Sequence, residues 1–573
     1  MYLLFYFLAP LLFLNPNFKA ASKLNNLLRY LAGFIFFFMQ FYNLNKDKSL
    51  SFMISVLWIV GAFQIIAALV EAGATLSYRR KVINVGIPRK IIFVSSILIL
   101  ASVFYNNLPF SIANAKGLYN LAAAKESTED SPKANTENII IIPPETAYYQ
   151  MQNLIGSIPN PSYYKIGQMS LTKTSGGAYY VAPVEFSDSI KALLNRENPG
   201  VMYVSAERLE SPKFVDVKFN HSGSLVFNNY IYREMRKYKQ DSVLLNANIE
   251  LDDDLNPYYV GSYGHYKYGR KGIVVDGVIL YELKSGTTKV CSKEETPKWV
   301  DQIYTYDVAE NYNEYFGLYK SGYINSIIGQ KDVHIPTAWK SGTSISGLEI
   351  ESNQVIPVVG SSGEMYFFTD HTNTSSNSTT MTGYTLMDSR TGEMIYYKTP
   401  GSVNGEGAMN VVEKLLGADK ANWTTSQPIL YNIYGIDTWI IPVINKVDGS
   451  FVKLGLVTAE SKYGILADTT ADLMDSLNKA IASGKVNESS DTKVDSNTEK
   501  PSEKEITGKI WRINQTTESG KAVFYVKLEN SDKIFMVDID VNPMVVLARD
   551  GDTVTIKYED MEEQTILSAT SFK

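Results

Sequence analysis

Catalysis needs a base, a nucleophile or a metal cluster in reach of one another, and this chain is sparing with all three. Its four histidines, His221, His265, His334 and His371, lie far apart and have no metal-ligand spacing. The sequence holds no zinc helix, phosphate loop or nucleophile elbow. Ser170 and Lys173 fit a Ser-x-x-Lys pattern, in which the amine would activate the hydroxyl, but the companion motifs are missing. Asp252-Asp253-Asp254 is the densest acidic run. Oxygen ligands in a loop could hold calcium, yet the glycine and spaced carboxylates of a calcium loop are absent, which makes a solvated turn the expectation. Cys291 is the single cysteine, so no intramolecular disulfide can form, and its neighbours suggest a small apolar strand residue. Two carboxylates distant in sequence can still meet in space and serve as acid and base, which keeps a hydrolase acting on peptidoglycan or peptide as an alternative. On this reading no catalytic, cofactor-binding or metal-binding residue is assigned, and no cofactor is expected.

Recognition is better represented than reactivity. Between residues 299 and 323 lie Trp299, Tyr304, Tyr306, Tyr312, Tyr315, Phe316, Tyr319 and Tyr323. Tyrosine joins an apolar ring to a polar tip, which suits an exposed surface for peptide or glycan. Of these, Trp299, Tyr304, Tyr312, Tyr315, Phe316, Tyr319 and Tyr323 form the expected recognition surface. The competing reading puts half of the rings at a domain interface and the rest in ordinary strands.

The elements that would carry such a surface read as hairpins. An apolar strand, a turn with glycine three or four residues after a polar one, and a second strand occur at Tyr281–Cys291, Leu386–Tyr397 and Val443–Val452. Glycine supplies the positive φ of a tight turn, and β-branched and aromatic flanks suit a pleated surface. Tyr203–Asp216 looks like a degenerate copy without the glycine. Helical periodicity precedes two of them, at Ser187–Leu194 and at Ala408–Leu416, where Met409, Val412, Leu415 and Leu416 share a face. Helix followed by antiparallel hairpin, repeated, is an α+β architecture. The segment Tyr384–Tyr397, with its Asp388, Thr391-Gly392 and following strand, resembles the core signature of PepSY-type domains. The resemblance covers two or three segments between about residues 147 and 479. It implies small non-catalytic helix-and-sheet modules of envelope and secreted proteins, which bind or restrain partner proteins, peptidases included.

Four apolar stretches, Tyr2–Leu14, Tyr30–Tyr42, Ser51–Leu76 and Ile91–Pro109, open the chain. Their basic flanks alternate in the positive-inside manner, with Lys19, Lys23 and Arg29 on one side together with Arg79, Arg80, Lys81, Arg89 and Lys90. This predicts an α-helical anchor of about four transmembrane helices over residues 1–110, in contact with membrane lipid, and a cell-membrane protein whose residues after about 110 face the exterior. The first stretch is short for a crossing. Glu71 would be an intramembrane carboxylate, which raises a transport or channel subunit as a further alternative, although snorkelling toward Arg79 is the simpler role. Ala113-Asn114-Ala115 follows the fourth stretch at more than the usual signal-peptidase distance, so retention of the anchor is favoured over release.

Residues 111–138 read as a juxtamembrane segment and tether, 139–483 as the α+β region, 484–505 as a disordered linker, and 506–573 as a barrel. Five short strands and the turn Arg549-Asp550-Gly551-Asp552 give the last piece a resemblance to OB-type barrels. Residues 507–573 carry 8 Lys plus Arg against 11 Asp plus Glu, so no nucleic-acid partner is expected of it. Residues 1–110 hold 10 basic and 2 acidic side chains, and the remainder 44 and 58, an anionic surface unsuited to polyanions as a whole. The low cysteine content fits a bacterial envelope protein. The expectation is therefore a membrane-anchored, non-catalytic binding or scaffold protein that engages another protein or envelope component.

Overall fold

The computed structural model describes residues 8–15, 23–43, 57–78, 89–107, 109–127, 131–136, 138–339, 355–375, 378–486, 503–518, 521–539, 541–559 and 566–573. The expected linker over 484–505 falls mostly outside these residues.

The N-terminal part corrects the expected anchor. Among the described residues no helix is long and apolar enough to cross a membrane. The described part of the first apolar stretch holds a five-residue 3-10 turn, Ala9–Phe13, and the helices α1 (Lys23–Asn43), α2 (Leu57–Tyr78) and α3 (Arg89–Asn107) follow. They meet through an apolar cluster of Ala9, Phe13, Phe37 and Val60, with a polar contact beside it. Arg29 donates to Gln64 at 2.7 Å, and the Gln64 amide donates to the carbonyls of Leu12 and Leu14 at 2.7 and 2.8 Å. The four-span anchor, the multi-pass envelope assignment and the exterior placement of the later residues rested on those stretches and fall with them. The side chain of Glu71 lies outside the described residues. Ala115 is buried in the middle of α4 (Pro109–Leu121), so the bond after it is not presented to a peptidase.

Beyond α4 the regular structure is mostly β-sheet. Residues 125–127, expected in a tether, form strand β1 (Lys125–Ser127), which pairs in parallel with an edge strand of a later sheet. Glu126 of that strand is held between Lys320 and Lys398, and the Ala134 amide donates to the Asn432 carbonyl at 2.8 Å. The arm is thus part of the fold.

Four successive units then repeat one plan, a helix followed by an antiparallel meander. In the first, α5 (Pro144–Ile155) precedes β2 (Tyr164–Ile166), β3 (Ser170–Thr174), β4 (Gly177–Phe186), helix α6 (Ser189–Leu194), β5 (Val201–Ser205) and β6 (Lys213–Val215). The second has α7 (Ile231–Arg236), β7 (Val243–Leu251), β8 (Pro257–Tyr268), β9 (Lys271–Glu282) and β10 (Thr288–Ser292). The third has α8 (Tyr306–Tyr319), β11 (Ile335–Pro336), β12 (Ile356–Val359), β13 (Met365–Thr372), β14 (Met381–Asp388) and β15 (Met394–Lys398). The fourth has α9 (Gly405–Leu415), β16 (Trp423–Thr425), β17 (Ile429–Ile433), β18 (Ile436–Asn445), β19 (Phe451–Thr458), β20 (Gly464–Ala467) and the closing helix α10 (Thr470–Ala482). In units one, three and four the first strand is broken into two pieces that pair with the same following strand: β2 and β3 with β4, β11 and β12 with β13, β16 and β17 with β18.

The turns repeat as well. Residues 282–287, 388–393, 445–450 and 458–463 each close with the fifth residue's amide on the first residue's carbonyl, and the first residue's amide on the sixth residue's carbonyl. The fifth position is left-handed in all four, at Gly286, Gly392, Gly449 and Lys462. Units one, three and four share one core that includes Met202, Phe368 and the fully buried Trp439. The second unit joins the first through Ile249 and Tyr281, and the third through Val278 and Phe316.

The C-terminal residues form a closed barrel in the strand order β21 (Glu503–Glu518), β22 (Lys521–Leu528), β23 (Ile534–Asp538), β25 (Ile566–Phe572), β24 (Thr553–Glu559). Within it β23 pairs in parallel with β25. Phe524, Val526, Phe535 and Ile556 fill its interior, and Trp511 stays exposed.

Candidate functional site

A cleft of about 860 Å³ opens on the first unit, between the end of β4 with helix α6 and the loop that leads to α7. Phe186 and Leu225, which cluster with Ala192, line it. Large apolar side chains stand exposed around it: Leu193 at 55 % and Phe227 at 61 %. Phe38 and Met39 of α1 close one side, and Lys165, Tyr230 and Arg233 supply polar groups. An apolar pocket with a few convergent polar groups is the general form of a binding site.

Local sequence explains the two walls. Asp188 caps α6, its carboxylate accepting the amides of Lys191 and Ile190 at 2.9 and 3.0 Å, and these bonds, with the Lys191 side chain, hold its pKa below the usual carboxylate range. The cap lets a six-residue helix present Ile190, Leu193 and Leu194 to the outside. Across the cleft, Glu185 accepts the Ser224 amide at 3.3 Å from inside the fold, and burial raises its pKa. Asn229 donates to the Asn220 carbonyl at 2.7 Å, and Ser222 and Asn229 are joined by their backbones. Within this braced loop Phe227 takes φ +57, a left-handed conformation that costs a non-glycine residue about 1–2 kcal/mol. Backbone strain of this kind concentrates at functional positions.

The residues expected to recognise a partner are elsewhere, five of them buried and Trp299 and Tyr323 half-buried. Tyr304, Tyr312, Tyr315, Phe316 and Tyr319 belong to the core between the second and third units, with Trp299 and Tyr323 packed against it. The reason is helical periodicity: α8 puts Tyr312, Tyr315, Phe316 and Tyr319 on one face. Their hydroxyls are used internally, Tyr312 donating to the Ile273 carbonyl at 2.8 Å and Tyr315 to Asn311 at 3.2 Å. Burial pushes the Tyr315 phenol up to about 12. They do not form an exposed recognition surface.

Two carboxylates do meet. Glu250 and Asp301 lie together in the junction of the first three units. Glu250 accepts the amides of Asp301 and Gln302 at 2.7 and 3.2 Å, and Asp301 accepts the Thr172 hydroxyl at 2.9 Å. Burial raises both, Asp301 to about 7, so the pair retains a proton near neutrality. Arg390, from the β14–β15 turn, donates to the carbonyls of Thr296, Pro297, Lys298 and Val300 on the same segment. Ser389 donates to the Asp301 carbonyl at 2.5 Å and Gln302 to the Leu171 carbonyl at 2.8 Å. Every partner here is protein backbone or a neighbouring side chain. The arrangement clamps residues 296–304 against three sheets, and neither carboxylate lines the cleft.

His334 and His371 also meet, 37 residues apart in sequence, with their Nδ1 atoms 2.9 Å apart. Asn313 fixes their tautomers. Its amide nitrogen donates to the Ala309 carbonyl, so its oxygen faces His371 Nε2 at 2.9 Å and must accept from it. His371 Nδ1 is then the acceptor and His334 Nδ1–H the donor. Tyr396 stacks on His334, and Phe316 meets both rings edge-on. Burial lowers His334 to about 4 and holds His371 well below its ordinary value. Spacing in sequence gives no sign of this pair.

The other candidates disperse. Ser170 donates to the Ile249 carbonyl, while Lys173 faces Glu207 at 3.9 Å. Asp252 forms the turn between β7 and β8, accepting the Asp254 and Asn256 amides. Cys291 is buried in β10. Among the described residues, no group of three or more His, Cys, Asp or Glu could hold a metal ion.

No family model and no curated protein matches this chain. Solved structures similar to parts of it include the polysaccharide lyase Uly1, at 9 % identity and TM-score 0.15 over 69 % of this chain and 58 % of that one. A Trypanosoma rangeli sialidase is similar at 8 % identity and TM-score 0.13, over 71 % and 54 %. The chain thus spans a little over half the length of these proteins, and scores this low carry no inference about its fold or activity.

Proposed function

We propose that this chain is a binding protein that holds an apolar segment of another polypeptide in the cleft of its first unit. The observation that carries this reading is Phe227, kept exposed at the rim in a strained backbone conformation by a braced loop. The cleft already receives Phe38 and Met39 from a helix of the chain itself, which favours a helical apolar segment as occupant. The first three units, joined by the Arg390 and Glu250 clamp, supply a frame for such a site. The same repetition of helix and meander supports the PepSY-like reading, in which modules bind partner proteins.

The test separates binding from folding. Phe227→Gly removes the ring and the backbone strain, and is expected to change unfolding free energy by less than about 1 kcal/mol. Leu193→Asp puts a charge on the other rim at an exposed site. Both variants should keep the far-ultraviolet dichroism of the parent and lose a copurifying polypeptide that the parent retains. Retention of that polypeptide by both variants would reject the cleft as its site.

A further inference from the structure

Helix α1 carries apolar side chains on two faces, and the second of them stands exposed. On the inner face Arg29 donates to Gln64 of α2, and Asn26 accepts the Asn15 amide at 3.1 Å. Phe37 is buried there, and a Cβ on Gly33 would come within 2.8 Å of the Phe13 ring. The outer face carries Leu24, Leu27, Leu28, Leu31 and Ile35, which are 43 to 65 % exposed. Their directions fall within an arc of about 100° around the helix axis. A helix that is apolar all round is one built to be buried on both sides.

The spacing of the outer face says what shape of partner fits it. Leu24, Leu28, Leu31 and Ile35 follow the four, three and four steps of a heptad seam, with Leu24 and Leu31 at one core position and Leu28 and Ile35 at the other. The positions that flank the seam hold Asn25, Leu27, Ala32 and Phe34, none of them charged. Lys23 lies beyond its end, and Arg29 is on the inner face. Such a seam offers a partner no charge to match and opposes no charge to a copy of itself. Two α1 helices related by a two-fold axis place leucine and isoleucine against leucine and isoleucine along the whole contact, which is the self-complementarity of an isologous interface. Covering the exposed part of these five side chains in both copies removes on the order of 1,000 Å² from water, the size at which a specific interface begins. The seam ends at Ile35, before Phe38 and Met39 reach the cleft on the first unit, so pairing here does not require that cleft.

We propose that the outer face of α1 is a homodimer interface, through which two copies of this chain associate by Leu24, Leu28, Leu31 and Ile35 with Leu27 at the margin. An interface of this area places the association in the micromolar range.

Sedimentation equilibrium of the full chain between about 1 and 100 µM is expected to show a concentration-dependent shift from monomer to dimer. Two double variants test the surface, Leu28→Glu with Leu31→Glu, and Leu28→Lys with Leu31→Lys. Both positions are exposed, so each variant should keep the far-ultraviolet dichroism of the parent. Like charges then meet across the axis whichever way the paired helix runs, and each variant alone should associate at least about a hundredfold more weakly. Mixed in equal amounts, the two should associate again because opposite charges now meet, and a folding defect cannot produce that rescue. Vesicles of phosphatidylcholine with phosphatidylglycerol, added to the parent in a parallel run, show whether lipid covers the face instead. The proposal is overturned by a parent that stays monomeric over this range, whether or not it sediments with the vesicles. It is equally overturned by a glutamate variant that associates as the parent does, or by a mixture no more associated than either variant alone.

Discussion

Replacing Arg390 by methionine is expected to lower the unfolding free energy by about 3–5 kcal/mol, although the substitution lies in a hairpin turn. One guanidinium satisfies the carbonyls of Thr296, Pro297, Lys298 and Val300. The segment it grips also carries Asp301 and Gln302, through which the first and second units meet. Methionine fills much of the volume and offers no donor, so the carbonyls lose a charged partner together. Lysine keeps the charge with fewer fixed directions and should give an intermediate loss. Urea unfolding followed by tryptophan fluorescence measures both. A loss below about 1 kcal/mol for Arg390→Met would mean that the clamp contributes little beyond surface hydrogen bonding.

The second large effect is on pH dependence. His334 and His371 are neutral in the fold, the first titrating at about 4 and the second held well below the usual histidine range, because burial disfavours their charged forms. The unfolded chain binds protons at these positions near pH 6.5. A lowered folded pKa of a base means that its contribution is fully present above about pH 6.5 and is lost as the pH falls below it. Asp301, raised to about 7, and Asp370, raised to about 6, act in the opposite sense: protonated in the fold, they favour it in acid and lose that contribution as pH rises toward those values. The overall profile is therefore a difference of opposed slopes, and a single curve would hide the histidines. The informative quantity is the parent minus His371→Phe, which should fall by about 2 kcal/mol between pH 6.5 and 5. Lys320, just after α8, and Glu126 of β1, whose charges act on His334, are unchanged in both proteins. A difference that stays constant over this interval would show that His371 is not a buried neutral base.

What could be read in the sequence was local. Gly286, Gly392 and Gly449 mark tight turns because the left-handed position excludes most side chains, and that constraint acts within six residues. The fourth turn, at 458–463, escapes the same reading because Lys462 occupies the left-handed position. The aromatic residues from Trp299 to Tyr323 invite a surface because tyrosine is amphipathic, but the spacing of Tyr312, Tyr315, Phe316 and Tyr319 is that of one helix face, and α8 turns it inward. The apolar N-terminal stretches predict spans when hydropathy is summed along the chain. Hydrogen bonding between Arg29 and Gln64, 35 residues apart, is invisible to such a sum. The paired carboxylates and paired histidines have the same character, since only tertiary structure brings them together. The cleft was not legible at all: Phe227 has no neighbours in sequence that announce a strained, exposed ring.

Site-specific photo-crosslinking from the rim of the cleft tests the central claim most directly. A photoreactive phenylalanine analogue at position 227 would be compared with the same group at position 447, where Val447 is exposed at the tip of the β18–β19 hairpin. The expected result is a polypeptide adduct of discrete mass from position 227 and none from position 447, with the adduct lost when Leu193→Asp is added. No adduct from position 227, or the same adduct from both positions, would contradict a binding cleft on the first unit.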